Sequence, residues 1–181
     1  MDFYDKGITA MNKSFLMLMI VAMLLASCTR TYYVVRHAEK EQAAGSANMM
    51  SNDPALSEAG KVRAIVLKEQ LANKNVKHIF STNTMRTRAT AQPLSDATGI
   101  PVQLYNSTDT LIMTLKKIKK GSVLVVGHSN TVDDIVNKLC GQTKINADLG
   151  DNQYDNLFIV KYKGKKITFA QLKYGYPSNP E

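Results

Sequence analysis

The most constraining feature of this sequence is the run SVLVV at 122–126, in which every residue after the serine is apolar. A strand of this kind is buried on both faces, as in parallel sheets that carry helices on either side. Gly127 and His128 follow directly, and apolar residues then recur at helical spacing at Val132, Ile135, Val136 and Leu139. The sequence therefore predicts a buried parallel strand that leads into a helix.

The same alternation of strand and helix patterns runs through most of the chain. The other predicted elements are strands at 31–35, 76–80 and 102–104, a helix capped by Ser57 with Val62, Ile65, Val66 and Leu71 on its apolar face, a helix over 84–98, a helix from Leu111 that stops before Gly121, and a hairpin of 157–162 with 167–172. We therefore expect an α/β fold: a three-layer α/β/α sandwich with a mainly parallel central sheet and an antiparallel edge strand.

The N-terminal residues carry a different signal. An unbroken apolar run at 15–26 follows Lys13, and Ser27 and Cys28 follow the run. Twelve residues are too few for a bilayer, which takes about 20, and the order of features is that of an export signal. The segment 25–28 (LASC) resembles a bacterial lipobox, and Met11 reads as the better start of such a signal.

We therefore expect residues 1–28 to be a signal peptide with lipidation at Cys28, and residues 29–181 to form a single domain. This would make the protein exported and lipid-anchored to a bacterial membrane, on its periplasmic or cell-surface side. The alternative is a core helix that ends in a buried cysteine.

Charge narrows the possible partners. The chain has 23 basic and 15 acidic residues and a formal net charge of +8. This excess favours anionic substrates or anionic lipid headgroups, and charge alone does not separate the two. The run KKIKK at 116–120 contains no aromatic residue to stack on bases, so we expect a solvated helix end and no nucleic-acid partner. Two cysteines exclude a disulfide scaffold.

Two arginines and two histidines fall just past predicted strand ends. Arg36 and His37 follow the first strand, Arg86 lies in the turn after the second, and His128 follows SVLVV. Because the carboxyl ends of parallel strands meet at one edge, these side chains can converge. Guanidinium groups match phosphate oxygens, and imidazoles can attack or donate near neutral pH. No cluster with metal-ligand spacing accompanies the histidines, which argues against a zinc site.

These residues belong to four motifs that resemble those of the histidine phosphatase superfamily, also called phosphoglycerate mutase-like. The segment 35–40 (VRHAEK) looks like the family's RHG/RHA signature. The segments 53–60 (DPALSEAG), 81–91 with Ser81, Arg86 and Thr90-Ala91, and 126–130 (VGHSN) look like its later motifs, in the family's order. The resemblance covers nearly the whole chain after residue 28.

The resemblance implies a mechanism. His37 would attack a phosphoryl group to form a phosphohistidine, which water would hydrolyse. Arg36, Arg86 and His128 would bind the phosphate oxygens, and neither metal nor cofactor would be required. The substrate would be a phosphorylated small molecule or a phosphoprotein.

The four motifs do not identify the residue that would donate a proton to the leaving group. Asp109 is the only acid between Asp96 and His128 and is our first candidate, although a carboxylate at a helix start can also simply bind free N–H groups. Glu39 is the second candidate. A third possibility is no local acid, which would suit a phosphohistidine or mixed-anhydride substrate with a better leaving group.

Only 41 residues separate Arg86 from His128, which leaves no room for the long covering insertions of phosphoglycerate mutases. A site with little cover favours hydrolysis over transfer back to the substrate. We therefore expect a phosphatase of the short branch, acting on a phosphomonoester, and not a mutase. The alternatives are a protein phosphohistidine phosphatase and a non-catalytic lipoprotein that binds phosphate groups or phosphoproteins.

Overall fold

A computed structural model describes residues 29–41 and 53–178. The predicted signal segment with Cys28 lies outside the described residues. The elements are, in chain order, β1 (Thr29–Arg36), α1 (Glu58–Leu71), β2 (Val76–Ser81), α2 (Met85–Thr98), β3 (Val102–Leu104), α3 (Thr108–Lys117), β4 (Gly121–Gly127), α4 (Val132–Cys140), β5 (Asn156–Lys163) and β6 (Lys166–Lys173).

The six strands form one mixed sheet in the order β3-β2-β4-β1-β5-β6. Strands β3, β2, β4 and β1 are parallel, and β5 and β6 continue the sheet antiparallel. The SVLVV strand, β4, lies between β1 and β2, which explains why it is apolar on both faces. The predicted parallel sheet with an antiparallel edge is confirmed.

Helices cover both faces of the sheet. Helices α3 and α4 pack on the face that carries Tyr32 and Val34, and α1 and α2 pack on the face that carries Tyr33 and Val35. Neighbouring residues of β1 thus enter different cores, as the alternation of side chains along a strand requires. The three-layer sandwich is confirmed.

The ends of the helices follow local chemistry. The Ser57 side chain accepts a hydrogen bond from the backbone N–H of Gly60 at 3.2 Å, which caps α1. Helices α2 and α4 end at Gly99 (φ 69°) and Gly141 (φ 67°), whose left-handed conformation favours glycine.

The predicted apolar face of α1 is confirmed for Leu71, which is buried, and for Val66, which packs against the core, but is wrong for Val62 and Ile65. Val62 and Ile65 are each 45% exposed, whereas Ala64 and Leu67 are buried. The buried stripe includes small residues and Arg63, which a hydrophobic pattern does not single out. In the described part of the chain, none of the helices has the length and apolarity needed to cross a bilayer.

Candidate functional site

The carboxyl ends of β1, β2 and β4 lie side by side and bring the predicted motif residues together. Arg36 pairs with Gly127 in the parallel register, and the backbone N–H of His37 donates to the Gly127 carbonyl at 2.9 Å. Ser81 pairs with Val126 on the other side of β4. The segments that follow these three strands therefore share one edge of the sheet.

His37 is buried and held in one tautomer. It is 4% exposed, and its Nδ1 lies 2.8 Å from the Ala38 carbonyl oxygen. A carbonyl oxygen can only accept, so Nδ1 carries the proton and the lone pair of neutral His37 is on Nε2. No protein group within 29–41 or 53–178 forms a hydrogen bond with Nε2. The lone pair of Nε2 is therefore not used by a hydrogen bond from the described part of the chain.

The surroundings keep His37 neutral. Burial lowers its pKa from the ordinary 6.5 to about 3, against the opposing effect of the Ala38 hydrogen bond, and the positive charges of Arg36 and Arg86 add to the lowering. A histidine with this pKa is unprotonated at any physiological pH. Attack on phosphorus requires the neutral form, so the electrostatics suit a nucleophile.

His128 lies next to His37, with 5.6 Å between the ring centroids. Its Nε2 lies 2.9 Å from the Thr82 hydroxyl, and its backbone N–H donates to Thr131 Oγ1 at 3.0 Å. Burial lowers the pKa of His128, and Arg86 and Arg36 lower it further. A bound phosphoryl group would oppose this shift, because negative charge favours the imidazolium form.

Arg36 extends from the end of β1 to the 150–154 loop. It is 4% exposed, and one terminal nitrogen donates to the carbonyl oxygens of Gly150 at 2.7 Å and Asp151 at 3.0 Å. Its guanidinium carbon lies 4.1 Å from the ring centre of Tyr154, a cation–π contact. These contacts fix the plane of the guanidinium, and its buried Nε–H has no hydrogen-bond partner among residues 29–41 and 53–178.

Arg86 lies in the first turn of α2 and is held by Asp53. A terminal nitrogen of Arg86 lies 3.2 Å from Asp53 Oδ1, and the same carboxylate accepts from the backbone N–H of Met85 at 2.8 and 3.0 Å. The Nε–H of Arg86, like that of Arg36, is buried and has no hydrogen-bond partner in the part of the chain that the structure describes. Two unsatisfied guanidinium donors at one sheet edge are costly unless an anion is bound there.

The remaining motif residues support this arrangement. The backbone N–H of Ala38 donates to Thr90 Oγ1 at 2.9 Å, and Thr90 Oγ1 donates to the Arg86 carbonyl at 2.8 Å. Thr90 thus links the His37 turn to the helix that carries Arg86. A Cβ on Gly60 would lie 2.2 Å from the Glu39 carbonyl oxygen, so only glycine permits this approach of α1 to the His37 turn.

Asp109 is not placed as a proton donor. Its side chain is 81% exposed and pairs with Lys138 at 2.7 Å, near the far end of α4. The hydrogen bond and charge of Lys138 lower the pKa of Asp109, which opposes the protonated form that a general acid needs. The structure joins Arg36, His37, Arg86 and His128 and leaves Asp109 out of the cluster.

Glu39, the second candidate for the proton donor, forms a salt bridge with Arg63. Arg63 is 5% exposed and donates its Nε to both Glu39 oxygens at 2.9 Å and one terminal nitrogen to Oε1 at 2.6 Å. The other Arg63 donors bind the carbonyls of Tyr174 and Tyr176. Glu39 is therefore the counter-ion of a buried arginine, and this role accounts for its place in the motif.

Three residues that lie at this edge are not among the predicted site residues: Asp53, Arg63 and Tyr154. Tyr154 contacts both Arg36 and His37, with 6.0 Å between its ring centre and that of His37. It also lines a cavity of about 490 Å³ on the α1 side, whose other residues include Lys40, Val62, Asn152 and Tyr176. Asp53 stands at the start of a recognised motif, whereas no periodicity marks Tyr154.

Comparison with known proteins shows a sequence similarity to one family over part of the chain. The model of the histidine phosphatase superfamily (branch 1) matches residues 32–108, which include Arg36, His37 and Arg86 and end before His128. No curated protein sequence matches the chain.

Solved structures share the fold at low identity. The protein histidine phosphatase SixA complexed with tungstate has a TM-score of 0.60 and 16% identity, over 79% of this chain and 96% of that one. A mycobacterial glucosyl-3-phosphoglycerate phosphatase has a TM-score of 0.58 and 14% identity, over 81% of this chain and 98% of that one. YhfR of Bacillus stearothermophilus has a TM-score of 0.59 and 14% identity, over 78% of this chain and 95% of that one. The chain is thus similar in sequence to the histidine phosphatase superfamily (branch 1) over residues 32–108, and it shares the fold of these solved structures.

Proposed function

We propose that this protein is a metal-independent phosphatase that works through a phosphohistidine on His37. The observation that carries the proposal is the pairing of a neutral, tautomer-fixed His37 with the guanidinium groups of Arg36 and Arg86, whose buried Nε–H donors have no hydrogen-bond partner in the described part of the chain. A phosphoryl group between them would accept those hydrogen bonds and offer phosphorus to Nε2 of His37.

The reaction proceeds in two displacements. Nε2 of His37 forms a bond to phosphorus as the bond to the leaving group breaks, and the leaving group departs with the electron pair. Water then attacks the phosphohistidine, the P–N bond breaks, and inorganic phosphate and neutral His37 are released. Arg36, Arg86 and His128 offset the charge on the phosphoryl oxygens in both steps.

The state of the two acid candidates bears on the substrate. Asp109 is exposed and paired with Lys138, and Glu39 is paired with Arg63, so neither is arranged to protonate a leaving group. Substrates whose leaving group needs little help are therefore favoured over alkyl esters. A protein phosphohistidine meets this condition, since imidazole can take a proton from solvent near neutral pH. SixA, which shares the fold, is named a protein histidine phosphatase.

Hydrolysis of p-nitrophenyl phosphate by the full chain, purified in a mild nonionic detergent, tests the mechanism. We expect activity that resists EDTA, disappears in His37→Ala, and is unchanged in Asp109→Asn. Brief reaction should leave acid-labile phosphate on the wild-type chain and none on His37→Ala. If no phosphorylated substrate is turned over while the chain still binds phosphate, the non-catalytic alternative is correct.

The dependence of the rate on the leaving group can be tested by comparing p-nitrophenyl phosphate with phenyl phosphate. Phenyl phosphate releases a phenol of pKa about 10, far less acidic than p-nitrophenol. General acid catalysis contributes about 10²–10⁴-fold, so we expect kcat/KM to fall by that order from the nitrophenyl to the phenyl ester, and a phosphohistidine peptide to be turned over readily. Equal rates for the two esters would show that a proton donor operates and would contradict this assignment.

We also propose that the protein is exported and anchored by lipid at Cys28. The support is the order of Lys13, the apolar run 15–26 and the lipobox-like segment 25–28. Metabolic labelling with radioactive palmitate in a bacterial host tests this. Label that is present in wild type and absent in Cys28→Ser is expected, and an unlabelled wild type would refute it.

A further inference from the structure

A cluster of basic residues occupies the edge of the sheet opposite the site. The register places Arg30 beside Gly121 and Thr29 beside Lys163, so the starts of β1 and β4 and the β5–β6 turn lie together. We call this region the basic pole and define it by ten residues: Arg30, Lys74, Lys77, Lys116, Lys117, Lys119, Lys120, Lys163, Lys165 and Lys166.

The charges of the basic pole are not balanced by carboxylates. Its nine lysines are exposed. Within 29–41 and 53–178, the salt bridges involve other basic residues, and none of the ten takes part in one. Arg30 instead donates to the carbonyls of Lys116 and Ile118, which fixes the α3–β4 connection against β1. The fold thus gathers like charges that repel one another, and an anionic surface would relieve this repulsion.

The pole contains a groove of about 880 Å³ between the start of β2 and the end of α3. Lys77, Lys117, Lys119 and Lys120 line it, with Thr29 at its border. The ammonium groups of lysines that line one groove can bind a phosphate oxyanion as point charges. The KKIKK run, expected from sequence to be only a solvated helix end, forms one wall of this groove.

The position of the basic pole in the fold indicates which kind of partner it would bind. Thr29 directly follows Cys28, the proposed lipidation site, and lies at the start of β1. The eight residues of β1 separate this point from the His37 turn by roughly 23 Å at about 3.3 Å per residue. An anchor at Cys28 therefore holds the pole, and not the active-site edge, against the membrane.

We propose that the basic pole docks on anionic phospholipid headgroups and holds the catalytic edge away from the bilayer. This rests on the proposed lipid anchor and is independent of the proposed phosphatase chemistry. The anchor brings the surface close, and the lysines then fix the orientation of the domain through their attraction to the negative surface. The proposed anchor favours a lipid surface over a nucleic acid, because it joins the chain directly before Thr29.

Lysine acetylation of the full chain in vesicles tests the proposal. The chain is reconstituted in phosphatidylcholine vesicles and in vesicles with about 30% phosphatidylglycerol, treated with a membrane-impermeant acetylating ester, and analysed by mass spectrometry. We expect Lys77, Lys117 and Lys120 to react about fivefold more slowly in the anionic vesicles, and this protection to disappear at about 0.5 M salt. Lys40, at the opposite edge, is the internal control and should react equally in both.

Reversing the charge of three lysines of the basic pole gives a second test of the proposal. The variant Lys117→Glu/Lys119→Glu/Lys120→Glu should lose the protection of Lys163 and Lys165 in anionic vesicles while hydrolysing p-nitrophenyl phosphate as wild type does. Equal labelling of the pole in both vesicles, or a chain that floats with neither, would overturn the proposal. Stronger protection by an added oligonucleotide than by phosphatidylglycerol would also overturn it, in favour of a nucleic-acid surface.

Discussion

Glu39→Gln separates a structural from a catalytic role for this carboxylate. In the structure Glu39 offers both oxygens to Arg63, whose side chain is 4% exposed. The amide that replaces the carboxylate would keep one acceptor oxygen but turn an N–H₂ donor toward a guanidinium that can only donate. Arg63 would then carry a buried charge without its counter-ion.

The expected loss of stability in Glu39→Gln follows from the burial of the Glu39–Arg63 pair. Removing one partner of a buried ion pair costs about 3–5 kcal/mol. The side chain of Glu39 is 21% exposed, so water partly replaces the lost charge and we take the lower end, about 3 kcal/mol. A domain of this size loses about 2–4 °C in Tm per kcal/mol, so Glu39→Gln should lower Tm by roughly 6–12 °C. At 25 °C the folded variant should retain kcat.

The assay combines thermal unfolding by circular dichroism with p-nitrophenyl phosphate turnover. Glu58→Gln is the matched control, because the Glu58–Lys61 pair is short, at 2.6 Å, but 88% and 57% exposed and should contribute almost nothing. Replacing both partners, in Glu39→Leu/Arg63→Met, should recover part of the stability. A wild-type Tm together with a loss of kcat of about 100-fold would refute this reasoning and identify Glu39 as the general acid.

Three further predictions concern the support of His37. The folded pKa of His37 is held at about 3 against 6.5, so the unfolded chain binds an extra proton between these values. The free energy of unfolding should therefore fall as pH drops from about 6.5 toward 3, and urea titrations of His37→Gln should show a shallower fall; identical slopes would contradict the shift. Gly60→Ala should lower the urea midpoint although alanine is the better helix former by about 1 kcal/mol, because its Cβ would lie 2.2 Å from the Glu39 carbonyl oxygen; a raised midpoint would show that the turn can yield. Thr90→Val leaves the buried N–H of Ala38 unpaired, at a cost of about 1–3 kcal/mol, and should lower kcat more than it changes KM; an unchanged kcat would show that Thr90 does not position His37.

The fold could be predicted because each strand pattern leads into a helix pattern and the most apolar strand had to be central. The convergence of Arg36, His37, Arg86 and His128 could be predicted for the same reason, since Arg36 ends β1 and His128 directly follows the neighbouring parallel strand β4. The face of α1 could not, because its buried stripe uses Gly60, Ala64 and a buried Arg63 in place of Val62 and Ile65.

The surroundings of the candidate proton donors could not be predicted, for a different reason. The interval between Asp96 and His128 singles out Asp109, whereas its environment is set by Lys138, 29 residues later on another helix. Glu39 depends in the same way on Arg63, 24 residues later. Such ion pairs are tertiary contacts without a local pattern. Asp53 and Tyr154 reach the site from segments outside helices and strands, where hydrophobic periodicity has no bearing.

The polarity of the sheet also sets how far the basic pole can influence the reaction. The pole and the His37 turn are roughly 23 Å apart, and the screening length is about 8 Å at physiological ionic strength and about 30 Å at 0.01 M. Reversing Lys117, Lys119 and Lys120 to Glu should therefore leave kcat/KM for p-nitrophenyl phosphate unchanged at physiological salt and lower it only at low salt, by slowing capture of the anion. Lys40→Glu, beside the His37 turn, should lower kcat/KM at both ionic strengths. A change in kcat itself for the pole variant at physiological salt would mean that the two edges communicate through the fold, and the proposed separation of anchor and site would fail.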